Sequence, residues 1–139
     1  MAYWLFKSEP EVFSWAMMKA KGVVGEEWTG IRNYQARNNM RLMKLGERGF
    51  FYHSNEGKAV VGIAEVCKLA HKDSTANVDA WECVDIRAVM DVPKPVSLET
   101  IKADKRLAEM VLVRNSRLSV QPVTAAEWKT ICDLGGVKA

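Results

Sequence analysis

At 139 residues the chain is the size of one ordinary domain, read here as 1–139, long enough to bury a core and too short for two domains. Hydrophobic residues at 48% against 27% charged exclude a disordered chain and a low-complexity repeat, and a formal net charge of +3 permits a polyanionic partner without demanding one. Cys67, Cys83 and Cys132 are odd in number, far apart and in apolar settings, which argues for reduced thiols, no disulfide framework and a cytoplasmic, intracellular protein. They share no metal-ligand spacing with His53 or His71, so neither a structural zinc nor another cofactor is expected. The first residues lack the leader of a signal peptide, and no apolar run is long enough to span a bilayer, so a soluble protein with no membrane partner is expected.

Residues 3–7 are short and aromatic, as strands are, and run into Ser8-Glu9-Pro10. Ser8 with Glu11 forms a capping-box pattern, and Val12, Phe13, Ala16, Met17 and Ala20 then repeat at helical spacing up to Gly22 and Gly25. Residues 28–38, Trp-Thr-Gly-Ile-Arg-Asn-Tyr-Gln-Ala-Arg-Asn, set a large aromatic beside two guanidinium forks and three amides. A planar polar ligand such as a nucleobase needs that mixture, and a positive φ at Gly30 would bring Trp28 and Arg32-Asn33 together. Trp28 is therefore either a core aromatic or a stacking platform. Beyond it Ala36, Met40 and Met43 share one helical side while Arg37, Arg41 and Lys44 share another, a solvated face or a phosphate track.

Residues 49–54 read as a strand, Asn55-Glu56-Gly57 as a turn and 59–69 as the second strand of a hairpin, with Gly62 marking a bulge or a close backbone approach. Residues 81–90 alternate as another strand, and Pro93 and Pro95 are expected to break the chain. Ser97 caps a short helix, and a second covers 104–113. Residues 117–122 alternate, placing Arg117, Ser119 and Gln121 on one polar face of a brief strand. Thr124 and Glu127 form another capping box over an apolar stripe of Trp128, Ile131 and Leu134 that ends at Gly135. Well-separated strands joined by irregular loops and short helices make an α+β domain on a small curved sheet or barrel, in which the first strand pairs with distant segments.

Five motifs in order, Lys7-Ser8-Glu9-Pro10, residues 28–38, Phe51-Tyr52-His53-Ser54-Asn55, residues 61–66 and residues 117–122, make the chain resemble an EVE domain over nearly its whole length. The family includes bacterial stand-alone proteins, which this chain resembles, and the thymocyte nuclear protein of eukaryotes. The resemblance implies a PUA-like small curved β-barrel flanked by short helices, similar to the YTH domains that hold a methylated adenine in an aromatic cage. It also implies a binding module for DNA or RNA carrying a modified cytosine or adenine, and no enzyme. Carried over to this chain, it places Lys7, Ser8, Trp28, Asn33 and Ser54 around the pocket, and the chemistry of the chain adds Arg32, Arg117, Ser119 and Gln121. Trp28 would stack on the base, Ser8, Asn33, Ser54 and Gln121 would read its edge, and Lys7 or the arginines would meet a phosphate or carbonyl. Tyr34, Phe51 and Tyr52 are the candidates for a second aromatic wall. Each residue also has a plainer role: Ser8 as a helix cap, Arg32 or Arg117 in an ion pair with Glu9, Glu27 or Asp85, and His53 as a structural histidine. The rival functions are a small amidohydrolase of the kind the ASCH-type domains resemble, using Lys7, Ser8 and Glu9, and a sensor of a free nucleoside. Adjacent residues on a strand face opposite ways, which counts against the hydrolase.

Overall fold

The structure is a computed structural model and describes residues 1–138. Its chain order is β1 (Tyr3–Ser8), α1 (Trp15–Ala20), β2 (Glu26–Glu27), α2 (Tyr34–Leu42), β3 (Arg48–His53), β4 (Ala59–Lys72), β5 (Glu82–Ser97), α3 (Leu98–Ala103), α4 (Val111–Arg114), β6 (Val120–Val123) and α5 (Ala125–Gly135), with 3₁₀ turns at Gly22–Val24 and Lys105–Leu107. The strands form one mixed sheet in the order β2-β5-β4-β3-β1-β6, left open between β2 and β6. Short helices cover both faces, so the expected α+β architecture is the one observed.

Alternation along β1 explains the two cores. Trp4 and Phe6 point to one face with Phe51, Trp15, Met18, Ala36 and Met40 of the first two helices, whereas Leu5 points to the other with Phe50, Ile101, Met110, Trp128 and Ile131. β1 pairs in parallel with β3 and antiparallel with β6, the distant pairing its aromatics called for. β4 and β5 pair along most of their length, but their register shifts four times, and such bulges bend and twist the long hairpin. Gly62 sits at one of the shifts, and a Cβ there would lie 2.2 Å from the Trp15 indole, so it serves both as bulge and as close approach.

Several boundaries differ from the sequence reading. Ser8 does not cap the first helix: β1 runs through it, and Ser14 caps α1 by accepting from the Met17 N–H, because residues 9–13 are spent on a turn closed by Glu9. Pro93 and Pro95 do not end a strand. β5 continues to Ser97 because both prolines fall between the pairs Gly62↔Asp91 and Val60↔Val96, where the ladder needs no N–H from them. The helix expected over 104–113 is two pieces, the turn Lys105–Leu107 capped by Asp104 and the single turn α4. β6 begins only at Val120, so Arg117 and Ser119 lie in the turn before it and the three-residue polar face does not form. The last helix includes Gly135, and Gly136 (φ 76°) supplies the left-handed cap. The caps by Ser97 and by the Thr124–Glu127 box, and the turn at Asn55 and Gly57, occur as expected. Among the described residues no helix is long and apolar enough to cross a membrane.

Candidate functional site

A cleft of about 590 Å³ opens where β1, β2 and the loop before α2 meet, lined by Lys7, Ser8, Phe13, Glu27, Trp28 and their neighbours. That volume lies within the roughly 300–1,000 Å³ of small-molecule sites. The short β2, which the sequence reading missed, brings the loop there: Glu26 and Glu27 pair with Ile86 and Asp85, and the Trp28 N–H donates to the Val84 carbonyl at 2.9 Å. Two residues pair too briefly to leave a periodic signal.

Trp28 fills both roles read for it. It is buried, with edge-to-face contacts to Phe6 (5.6 Å), Phe13 (6.0 Å) and Phe51 (5.8 Å), and it also lines the cleft. The other ring at the cleft is Phe13, which the sequence reading had placed on a helix face. Phe51 lies behind Trp28 in the first core, Tyr52 faces the second core and Tyr34 is on the surface, so none of the three lines the cleft.

Lys7 and Ser8 both reach the cleft because it wraps the end of β1, where opposite faces converge on one opening. The Lys7 ammonium donates to the Ser116 carbonyl, and burial holds its pKa below the ordinary lysine value. Ser8 Oγ donates to the Phe13 carbonyl at 2.5 Å, which fixes the aromatic turn instead of leaving the hydroxyl for chemistry. Lys7 and Ser8 thus donate to two different carbonyls and not to each other.

The other nominated residues scatter. Asn33 caps α2, its Oδ1 accepting from the Ala36 N–H at 2.9 Å. Ser54 touches the site through its backbone, its N–H donating to the Ser8 carbonyl at 2.9 Å. Ser119 offers its carbonyl to the Lys7 N–H, and Arg117 is exposed in the preceding turn. Gln121 pairs with Leu5 and so faces the second core, away from the cleft; its Nε2 donates to the Leu118 carbonyl at 2.7 Å, and its buried Oε1 has no partner among the described residues. Arg32 pairs with neither Glu9, Glu27 nor Asp85 but with Asp73 (3.1 Å).

Asp73 is the residue no local pattern announced. It is 1% exposed and takes four hydrogen bonds: from the Gly30 N–H (2.8 Å) and Arg32 Nη1 (3.1 Å) on Oδ2, and from the Thr75 N–H (2.8 Å) and hydroxyl (2.6 Å) on Oδ1. Burial pushes its pKa upward, but those bonds outweigh it and hold the carboxyl at about 2. Beside it, Glu27 is gripped by the Ser74 hydroxyl and N–H. His53 is a satisfied structural histidine, its Nε2 accepting from the Trp15 N–H at 3.0 Å.

Ligand atoms of Glu27, His71 and Cys83 lie within 4.8 Å of one another, a spatial grouping that chain spacing did not reveal. Both ring nitrogens of His71 are engaged, Nε2 with Asp85 (2.7 Å) and Nδ1 with the Lys72 carbonyl (2.9 Å). Burial, then the carboxylates, pushes the Cys83 thiol up to about 12. Burial opposes the charge on His71, but its bonds to Asp85 and Lys72 and the nearby Asp85 and Glu27 carboxylates raise its pKa.

The model of the EVE domain matches residues 2–134. The chain belongs to the EVE domain family. Thymocyte nuclear protein 1 of Gallus gallus is 36% identical over 95% of this chain and 68% of its own. The crystal structure of a protein from Agrobacterium tumefaciens superposes with a TM-score of 0.96 at 62% identity, covering 99% of this chain and 94% of that one. Human THYN1, solved in complex with 5-methylcytosine containing DNA, superposes with a TM-score of 0.91 at 33% identity, with all of both chains covered. The YTH domain of Zygosaccharomyces rouxii MRB1, in complex with N6-methyladenosine RNA, shares the fold at a TM-score of 0.58 and 17% identity, covering 99% of this chain and 89% of that one.

Proposed function

We propose that this EVE domain is a binding module that takes a modified cytosine of DNA, extruded from its stack, into the cleft between β1 and β2. The observation that carries the reading is the lining itself: two aromatic rings, Trp28 and Phe13, beside the Lys7 ammonium and the Glu27 carboxylate. Cytosine presents an exocyclic amine that a carboxylate can accept from and a carbonyl that an ammonium can donate to. A 5-methyl group adds apolar area that the aromatic wall and Val12 can cover. The full-length likeness to human THYN1, solved with 5-methylcytosine containing DNA, supports the choice of base and of nucleic acid.

Asn33, Ser54, Arg117 and Ser119 sit outside the lining and would contribute at most to strand contacts around it. Gln121 is given no part. The preference should favour sites where the base leaves its stack cheaply, as in single strands or mismatches.

The test is fluorescence anisotropy with short single- and double-stranded DNA carrying one 5-methylcytosine or cytosine at the same place. Wild-type protein should prefer the methylated strand, Phe13→Ala should lose most of that preference, and Lys7→Ala should weaken both strands alike, each with the fold intact. Equal affinity of wild-type protein for methylated and unmethylated strands would overturn the reading.

A further inference from the structure

Stacked rings inside this fold are buried: Tyr3 and Phe50 sandwich Trp128 at 4.4 and 4.0 Å against the second core. One stack is not. Tyr34, the first residue of α2, is 61% exposed and lies on Trp81 at 4.8 Å with 24° between the planes. Guanidinium groups flank the pair, Arg32 at 5.5 Å from Trp81 and Arg37 at 4.8 Å from Tyr34 and 5.9 Å from Trp81, so Arg37 lies at the edge of the stack and the outer face of Tyr34 stays open.

The two cations differ. Arg32 is neutralised by the buried Asp73, whereas Arg37 bonds neutral oxygens among the described residues, the Ala80 carbonyl at 2.9 Å and Asn38 Oδ1 at 2.8 Å. Arg37 therefore holds an unspent positive charge beside an exposed ring, the pairing that single-stranded nucleic acid uses. Arg41, on the same helix, is spent on Glu82, so the basic stripe of α2 narrows to this end. The stack is also fixed relative to the cleft, because Asp73 Oδ2 binds both the Gly30 N–H at the cleft rim and the Arg32 guanidinium.

We propose that the Trp81–Tyr34 stack, with Arg37 at its edge, is a second contact for the same strand: a nucleotide next to the one in the cleft lays its base on the open face of Tyr34 while its phosphate meets Arg37. This rests on the cleft being the site of the modified base. The rings are held in place before binding, so little side-chain entropy is lost when the neighbouring nucleotide docks. Stacking engages the face of a base and not its edge, so it adds affinity for any neighbour and no sequence preference.

The experiment measures two probes, 5-methyl-2′-deoxycytidine and a ten-nucleotide single strand carrying one 5-methylcytosine, with wild-type protein, Tyr34→Ala, Tyr34→Phe and Arg37→Gln, each first checked by thermal melting. Tyr34→Ala should weaken the strand roughly ten-fold and leave the nucleoside unchanged, while Tyr34→Phe, which keeps the ring, should bind as wild type. Arg37→Gln should weaken methylated and unmethylated strands alike and lower the salt slope by about one. Wild-type strand affinity in both Tyr34→Ala and Arg37→Gln would overturn the proposal, as would equal losses on the free nucleoside. If wild-type protein binds strands without preferring the methylated one, the cleft reading fails, and the same variants on the unmethylated strand still decide whether the stack is a contact. Absence of any strand binding overturns both.

Discussion

Replacing Asp73 by Asn tests whether one buried carboxylate sets the rim of the cleft. The amide can keep its oxygen toward Gly30 and Arg32 and turn its nitrogen toward Thr75, whose hydroxyl can reverse and accept. The Thr75 N–H is then left without an acceptor, and the bonds from Gly30 and Arg32 lose their charge assistance. At the usual worth of bonds to a charged group and the cost of an orphaned donor, the loss should be about 2–4 kcal/mol. Asp73→Ala, which abandons every donor and leaves Arg32 uncompensated, should cost about 3–5 kcal/mol. Urea unfolding at pH 7 followed by tryptophan fluorescence measures both, with the denaturant slope showing whether unfolding stays two-state. Acid supplies an independent check. Asp73 has a folded pKa of about 2 against an ordinary 3.8, so its stabilisation is fully present above pH 4 and lost as the pH falls toward 2. Asp73→Asn should remove that portion of the acid-side decline. A loss below about 1 kcal/mol at pH 7, or an unchanged acid limb, would refute the reasoning that these bonds are jointly held by charge.

Gly62→Ala should destabilise by about 1–3 kcal/mol, since its new methyl would meet the Trp15 ring at 2.2 Å, and a lowered urea midpoint would show it. His71 has its pKa raised: burial opposes the charge, but the bonds to Asp85 and Lys72 and the Glu27 carboxylate prevail. Its contribution is therefore complete below the ordinary 6.5 and lost as the pH rises through the higher folded value, so the stability gap between wild type and His71→Asn should be widest in mild acid and shrink with rising pH. Gln121→Met should change stability by less than about 1 kcal/mol, because it trades one bond for an orphaned oxygen already buried, and it should leave DNA binding untouched.

What the sequence made legible was local. The caps at Ser97 and Thr124, the turn at Asn55 to Gly57 and the hairpin strands carry their signals within a few residues. Pro93 and Pro95 misled because their tolerance depends on a register shift against β4, which only the partner strand determines. Ser8 and Ser14 are both plausible caps, and the choice follows from how far β1 must run to meet β3. Of the residues at the cleft, Lys7 and Ser8 were nominated by the resemblance to the EVE domain, and Trp28 also by the polar and aromatic stretch around it. Phe13 was hidden in a helical pattern that the chain does not follow there, and Asp73 lies in a plain polar loop whose importance arises from Gly30, 43 residues away. Gln121 shows the converse. Alternation set it on one face with Arg117 and Ser119, but β6 starts only at Val120, and the pairing with Leu5 turns Gln121 toward the second core.

The position of β1 bears on how the molecule is made. It is the first strand in chain order, yet its neighbours are β3 and β6, and its pairing with β6 joins Tyr3 to Val123. A nascent chain can zip β3, β4 and β5 as they emerge, but one edge of β1 stays open until β6 has been made, with Trp4, Leu5 and Phe6 waiting beside it. Premature termination before residue 120 would therefore leave an aromatic strand edge unpaired, a substrate for chaperones and for self-association.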